Sequence, residues 1–251
     1  MKTLNKIIPG CCIIALAFVL QYCTKQPAKE LAIRQSDFNN TSLVQVYLAI
    51  VNATRNYVYV DANPVTGTTL ATGGVFPSSG YAANIPGGLR AFLIRDTSSA
   101  VTATQVPLSF SENMQVGKNY TIFVYDTISS PKQKTVQTDI VIPSDSTARL
   151  RMSNFVYNPT AIPAVDVFSF IRNANIFTNV QVTDVTGFIP YATGANVPGA
   201  LTTDTLYIRE TGTLNQIIKI PITLTRKRSY TVILRGSYRS ATKVASIFAN
   251  Y

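Results

Sequence analysis

A chain of 251 residues has room for two ordinary domains, and with 46% hydrophobic, 10% aromatic and only 14% charged residues it can build cores and is not disordered over most of its length. It contains no histidine and no tryptophan, which excludes a histidine-based catalytic triad and any metal site that needs imidazole. The formal net charge of +10 comes from scattered Lys and Arg, with one dense run at Arg226-Lys227-Arg228; such scatter lacks the basic face with interleaved aromatics that nucleic-acid binding requires.

At the N-terminus Lys2 and Lys6 precede an apolar stretch, residues 7–20. Fourteen residues at ~1.5 Å each reach roughly 21 Å, short of the ~30 Å hydrocarbon core, so a removed secretory leader is expected rather than a spanning helix. All three cysteines, Cys11, Cys12 and Cys23, lie in or just after this leader, so the exported body is expected to hold no disulfide. Leu20-Gln21-Tyr22-Cys23 resembles a bacterial lipobox, which implies a lipoprotein signal peptide over residues 1–22 and a lipidated Cys23 as the mature N-terminus. Lipid there would attach the chain to a membrane, each buried methylene contributing about 0.8 kcal/mol. Residues 23–42 are polar and aperiodic and are expected to form a tether.

Beyond the tether the chain is written twice. Residues 85–97, IPGGLRAFLIRDT, return as residues 197–211, VPGALTTDTLYIRET, 112 to 114 positions later, which is the length of one small domain. Repeat 1 is placed at residues 43–146 and repeat 2 at 147–251, joined by a short polar link and each expected to fold by itself. The first strand of repeat 1 alternates Val44, Val46, Leu48 and Ile50 with Gln45, Tyr47 and Ala49. The first strand of repeat 2 alternates Leu150 and Met152 with Arg149 and Arg151, so both arginines are expected to face solvent, with Asn52 and Asn154 marking the strand ends.

Matching strands follow at residues 57–61 and 163–168, then Pro-Gly turns at Pro86-Gly87 and Pro198-Gly199, expected to be type II with Gly at positive φ. Pro107 and Pro221 occupy equivalent strands, which are expected at sheet edges because a central strand would miss the donated hydrogen bond. No helical period appears. About seven short strands per repeat predict an all-β fold of two tandem antiparallel Greek-key β-sandwiches, Ig-like or transthyretin-like.

The segments RLRMSN (149–154), PAVDVF (163–168), the Tyr191 step before VPG, and SYTVIL (229–234) resemble the tandem β-sandwich modules, of unassigned activity, found in exported lipoproteins of Bacteroidota. The resemblance spans residues 43–251. It implies an outer-membrane lipoprotein, without fixing periplasmic or surface exposure, and a sandwich fold.

Chemistry has little to work with. The exported body would carry no thiol besides Cys23, so carboxylates alone remain for catalysis; the best two, Asp61 and Asp166, sit at non-equivalent places in different repeats, and no enzyme is expected. No Asp-x-Asp-x-Asp loop for calcium is present and no cofactor is expected. Tyrosines 57, 59, 81, 191 and 238 could stack on sugars or peptides, and Tyr57, Tyr59, Tyr81 and Tyr191 are the ligand-binding candidates. The expected function is a lipid-anchored envelope protein with non-catalytic modules that bind an anionic glycan or another envelope protein, with no nucleic-acid partner. The alternative is an accessory glycan-binding subunit of an extracellular polysaccharide degradation or uptake system.

Overall fold

The computed structural model describes residues 38–78, 80, 83–97, 104–140, 142–192 and 203–251. Cys23 and the leader, Tyr81, and the Pro198-Gly199 turn lie outside the described residues. Apart from one 3-10 turn at Phe38–Asn40, the regular elements described are all strands.

In repeat 1 the alternating segments form β1 (Thr41–Leu48), β2 (Asn56–Val60), β3 (Asn63–Pro64), β4 (Val75–Phe76), β5 (Ala83–Pro86), β6 (Gly88–Asp96), β7 (Leu108–Met114), β8 (Asn119–Thr127) and β9 (Ser130–Gln137). Repeat 2 follows as β10 (Ala148–Tyr157), β11 (Val165–Ser169), β12 (Ala174–Val180), β13 (Ile189–Tyr191), β14 (Thr203–Glu210), β15 (Gln216–Thr223), β16 (Ser229–Ser237) and β17 (Val244–Ala249). Each repeat is a sandwich of two sheets. Repeat 1 has β4-β1-β8-β9, with β5 also on β1, facing β3-β2-β6-β7; repeat 2 has β13-β10-β16-β17 facing β12-β11-β14-β15. The strand orders are the same in both copies, so the duplicated sequence is a duplicated topology.

Most pairs are antiparallel, but in each repeat the first strand runs parallel to the strand beside it. β1 pairs β8 with Val44 opposite Tyr120, and β10 pairs β16 with Leu150 opposite Tyr230. No hairpin joins these strands; the chain crosses to the other sheet and back between them, which leaves a parallel pairing open. Pro107 directly precedes β7, and Pro221 lies within β15; both strands are edges, as the missing donor requires. Gly87 has no room for a side chain, since a Cβ there would meet Val116 Cγ2 at 2.5 Å. The positive φ of this turn belongs to Gly88 (91°) and not to Gly87, so the turn is not the expected type II arrangement.

Inside repeat 1, Val44, Val46, Val58, Phe92, Ile94 and Ile122 close the space between the two sheets, and inside repeat 2 Leu150, Met152, Val165, Val167, Leu206 and Ile208 do the same. A third buried cluster lies between the repeats. Tyr47, Ala49 and Phe123 of repeat 1 pack against Phe155, Ile233 and Phe248 of repeat 2, with the Phe123 and Phe155 rings 4.6 Å apart and those of Tyr47 and Phe248 4.9 Å apart. The inner sheets are therefore covered on both faces and Phe38–Tyr251 forms one compact unit, a stack of four sheets. Burying each large side chain in this seam stabilises the docked state by about 1.5–3 kcal/mol.

The seam corrects two expectations about β10. Arg151 does not face solvent; it is 2% exposed. Asn154 is not a strand end but a buried residue within β10, donating to the Val180 carbonyl at 3.2 Å. Alternation distinguishes two faces of a strand, and here the second face meets another sheet rather than water.

Candidate functional site: two equivalent outer faces

With the inner sheets covered, the outer sheets carry the free faces. In the repeated Ile-Arg-acid-Thr motif, alternation sends Ile94 and Ile208 fully into the cores, so Arg95 and Arg209 must point outwards. On the neighbouring strand of each repeat an aromatic ring meets them. The Arg95 guanidinium lies 5.0 Å from the centre of the Tyr59 ring, with Nη2 donating to the Tyr59 hydroxyl at 3.4 Å. Arg209 lies 4.2 Å from the centre of the Phe168 ring and 5.6 Å from that of Tyr207.

The two clusters occupy the same square of the ladder: Tyr59 stands opposite Leu93, two residues before Arg95, and Phe168 opposite Tyr207, two residues before Arg209. Tyr57 packs edge-on to Tyr59 at 6.4 Å, and Phe170, 59% exposed, extends the second cluster beside Tyr207 at 6.5 Å. A guanidinium held over an aromatic ring keeps its charge while the ring covers one of its faces. Each outer face thus presents a fixed cation beside flat apolar surface.

The residues around these clusters are fastened by ordinary structural bonds. Asp166 accepts from the backbone N–H groups of Asn179 (2.8 Å) and Gly212 (3.1 Å) and from the Thr211 hydroxyl (2.9 Å). Burial alone would push its carboxyl up, but those backbone donors and Thr211 hold it below the ordinary carboxylate value. Asp61 pairs with Arg90 at 2.8 Å and accepts from the Ala91 N–H; the Arg90 hydrogen bond, then that N–H, hold its carboxyl low. Each of the two candidate catalytic acids is thus committed within its own repeat.

Of the tyrosine candidates, Tyr57 and Tyr59 stand half-buried on the outer face of repeat 1. Tyr81 lies outside the described residues. Tyr191 is not a surface tyrosine: it is 4% exposed, and its hydroxyl donates to Asp204 and lies 3.0 Å from the Ser169 Oγ. Desolvation, with Asp204 beside it, drives the Tyr191 hydroxyl pKa upward, and Asp204 also accepts from the Ile171 N–H at 3.0 Å, so this cluster fastens the turn after β11. Tyr238 donates to Glu210 and is pushed up to about 12, by burial first and Glu210 second. Arg226-Lys227-Arg228 forms the turn from β15 to β16, a connection between sheets rather than a hairpin. Among the described residues no group of three His, Cys, Asp or Glu could hold a metal ion.

Phe168, Tyr207 and the roles of Arg95 and Arg209 were not drawn from the sequence. The available signal was the 114-residue offset between the two arginines together with the apolar residue before each.

No protein-family model matches the chain, and no curated protein does. Among solved structures, the chain is similar to one from a streptococcal virulence factor described for α-glucan binding, at 11% identity and a TM-score of 0.25, covering 84% of this chain and 97% of that one. It is also similar to a family CBM26 module from Eubacterium rectale determined with maltoheptaose, at 10% identity and a TM-score of 0.27, covering 82% and 96%. No residue role is carried over from either. By its own strands and cores this chain defines a tandem β-sandwich protein with one aromatic and arginine cluster on each outer sheet.

Proposed function

We propose that the protein is a non-catalytic envelope lipoprotein, anchored through Cys23, whose two outer faces bind anionic glycans. The observation that carries the reading is the duplication itself: the same motif arginine lies over a ring of the adjacent strand at the same register in both repeats. A sugar ring offers an apolar C–H face to stack on an aromatic side chain, and an acidic sugar adds a carboxylate or sulfate for the neighbouring guanidinium. Removing Lys2 and Lys6 with the leader takes the 22 bases to 20 against 12 acids, a net charge of +8 that favours anionic targets further.

The two faces lie on opposite sides of a four-sheet stack. One polymer strand cannot run straight across both, so the protein is expected to bridge two strands rather than grip one twice.

Binding is tested with the purified full-length protein and immobilised acidic and neutral polysaccharides. The acidic polymer should be retained at low salt and released as salt screens it over about 8–10 Å. Arg95→Ala and Arg209→Ala should each weaken retention several-fold and the double variant abolish it. Equal retention of neutral and acidic polymers, or a double variant that binds like the wild type, would contradict the reading. The anchor is tested separately: a labelled fatty acid fed to cells should appear on the wild type and not on Cys23→Ser, and labelling of both would remove it.

A further inference from the structure

The seam between the repeats contains a polar chain as well as an apolar cluster. Arg151 Nε donates to Thr231 Oγ1 at 2.8 Å, and Nη2 donates to Thr121 and Thr138 of repeat 1 at 3.2 and 3.3 Å. Thr231 in turn donates to Asn250, whose amide donates to Gln45 Oε1 at 2.9 Å, and the Gln45 amide donates to the Ala249 carbonyl at 2.9 Å. Gln45 and Arg151 are counterparts, each two residues into its inner strand pairing and opposite Thr121 and Thr231 respectively. Repeat 1 therefore reaches across the seam with a neutral amide, and repeat 2 with a charge.

That charge has no counter-ion. Among the described residues no carboxylate pairs with Arg151, whose hydrogen-bond acceptors are all hydroxyls, and Nη1 has no acceptor. The guanidinium lies over the Phe188 ring, 4.7 Å from its centre. An isolated buried cation is costly, and desolvation alone lowers the Arg151 pKa to about 10, which still leaves it protonated at neutral pH.

Arg151 lines a cleft of about 490 Å3 at this seam, with Val136, Arg149, Thr186, Phe188 and Ser229 among its walls. Asp139, at the exposed rim, accepts from the Gln137 amide at 3.1 Å and not from Arg151; Arg149 is engaged with Asp145 at 3.4 Å. Gly187 leaves one wall open, with nothing within 4 Å of where a Cβ would stand. The cleft is too large for a bare inorganic ion and within the usual range for small organic ligands. Its walls mix apolar side chains with hydroxyls.

We propose that this cleft binds a sugar-sized organic oxyanion, a carboxylate, sulfate ester or phosphate ester carried on a small hydroxylated body, with the buried Arg151 guanidinium as its counter-ion. The site is independent of the outer faces. It needs both repeats, because Thr121 and Thr138 position the guanidinium from one side and Thr231 from the other, so an occupant also adds a bond across the seam.

Calorimetric titration of the full-length protein in a non-ionic detergent tests this with glucuronate, glucose 6-sulfate, glucose 6-phosphate and neutral glucose. At least one of the three anions should bind once per chain and glucose should not, and which anion binds decides the source of the negative charge. Arg151→Met should weaken that binding at least tenfold, and so should Gly187→Leu, which fills the cleft and leaves the arginine in place. Arg95→Ala and Arg209→Ala should leave it unchanged, which separates this site from polysaccharide binding at the outer faces. Absence of binding by all three anions, or undiminished affinity in Arg151→Met, overturns the proposal. If Arg151→Met does not fold, undiminished affinity in Gly187→Leu overturns it.

Discussion

Asp166 shows how a residue that looks like chemistry can be architecture. Its two carboxylate oxygens take donors from Asn175, Asn179, Thr211 and Gly212, which ties the irregular β12 and the turn after β14 to β11. Because its folded pKa lies below the unfolded value of about 3.9, the group contributes stability that is complete above that value and is lost as pH falls through the folded pKa. Asp166→Asn should therefore lower the urea midpoint at neutral pH, by an amount equivalent to about 1–3 kcal/mol, and the gap to the wild type should narrow as pH falls below the unfolded value of about 3.9. A gap that stayed constant with pH would show that the charged form is not what the turn holds. Asp166 was legible in the sequence as a candidate acid in a strand, but its partners were not, because all four lie 9 to 46 positions away and alternation within a strand does not show which loops return to it.

At the scale of the strand, the period-two alternation located most elements, and proline's missing donor correctly placed the strands at Pro107 and Pro221 at sheet edges. What it could not show is the seam. Arg149 and Arg151 read as a solvent face because they alternate with Leu150 and Met152, yet Arg151 is buried against Thr121 and Thr138 of repeat 1. The signal lay in the uncharged second faces of β1 and β8, where Gln45, Tyr47 and Ala49 and then Thr121 and Phe123 leave no side chain that demands water. The seam strands should be sensitive to truncation. Phe155→Ala removes a ring packed on Phe123 at 4.6 Å and Tyr125 at 5.1 Å, and should cost about 3–5 kcal/mol. Phe170→Ala, on the outer face, should cost well under half of that. Comparable losses for the two in urea unfolding would mean that the seam is not a core.

For the whole molecule, the seam decides what the duplication can do. Two sandwiches on a loose link could turn both binding faces to one target, whereas two sandwiches stacked through their inner sheets direct the outer faces away from each other. The repeat was plain in the sequence, as was the pair of Ile-Arg-acid-Thr motifs, whereas the strand order was not. The direction in which each copy faces was not, since it depends on which second faces meet, and that is settled by packing between segments up to 205 residues apart. On the proposed reading, two opposed faces would join two strands of polymer rather than add avidity toward one.

Light scattering from a dilute acidic polysaccharide, recorded as the full-length protein is added at low salt, tests this account most directly. The wild type should raise the scattering by joining polymer strands. Arg95→Ala and Arg209→Ala should each still bind the polymer through the remaining face yet leave the scattering at its starting level, and the double variant should do neither. Single variants that raise the scattering as strongly as the wild type would contradict the central claim, because bridging would then not depend on two equivalent outer faces.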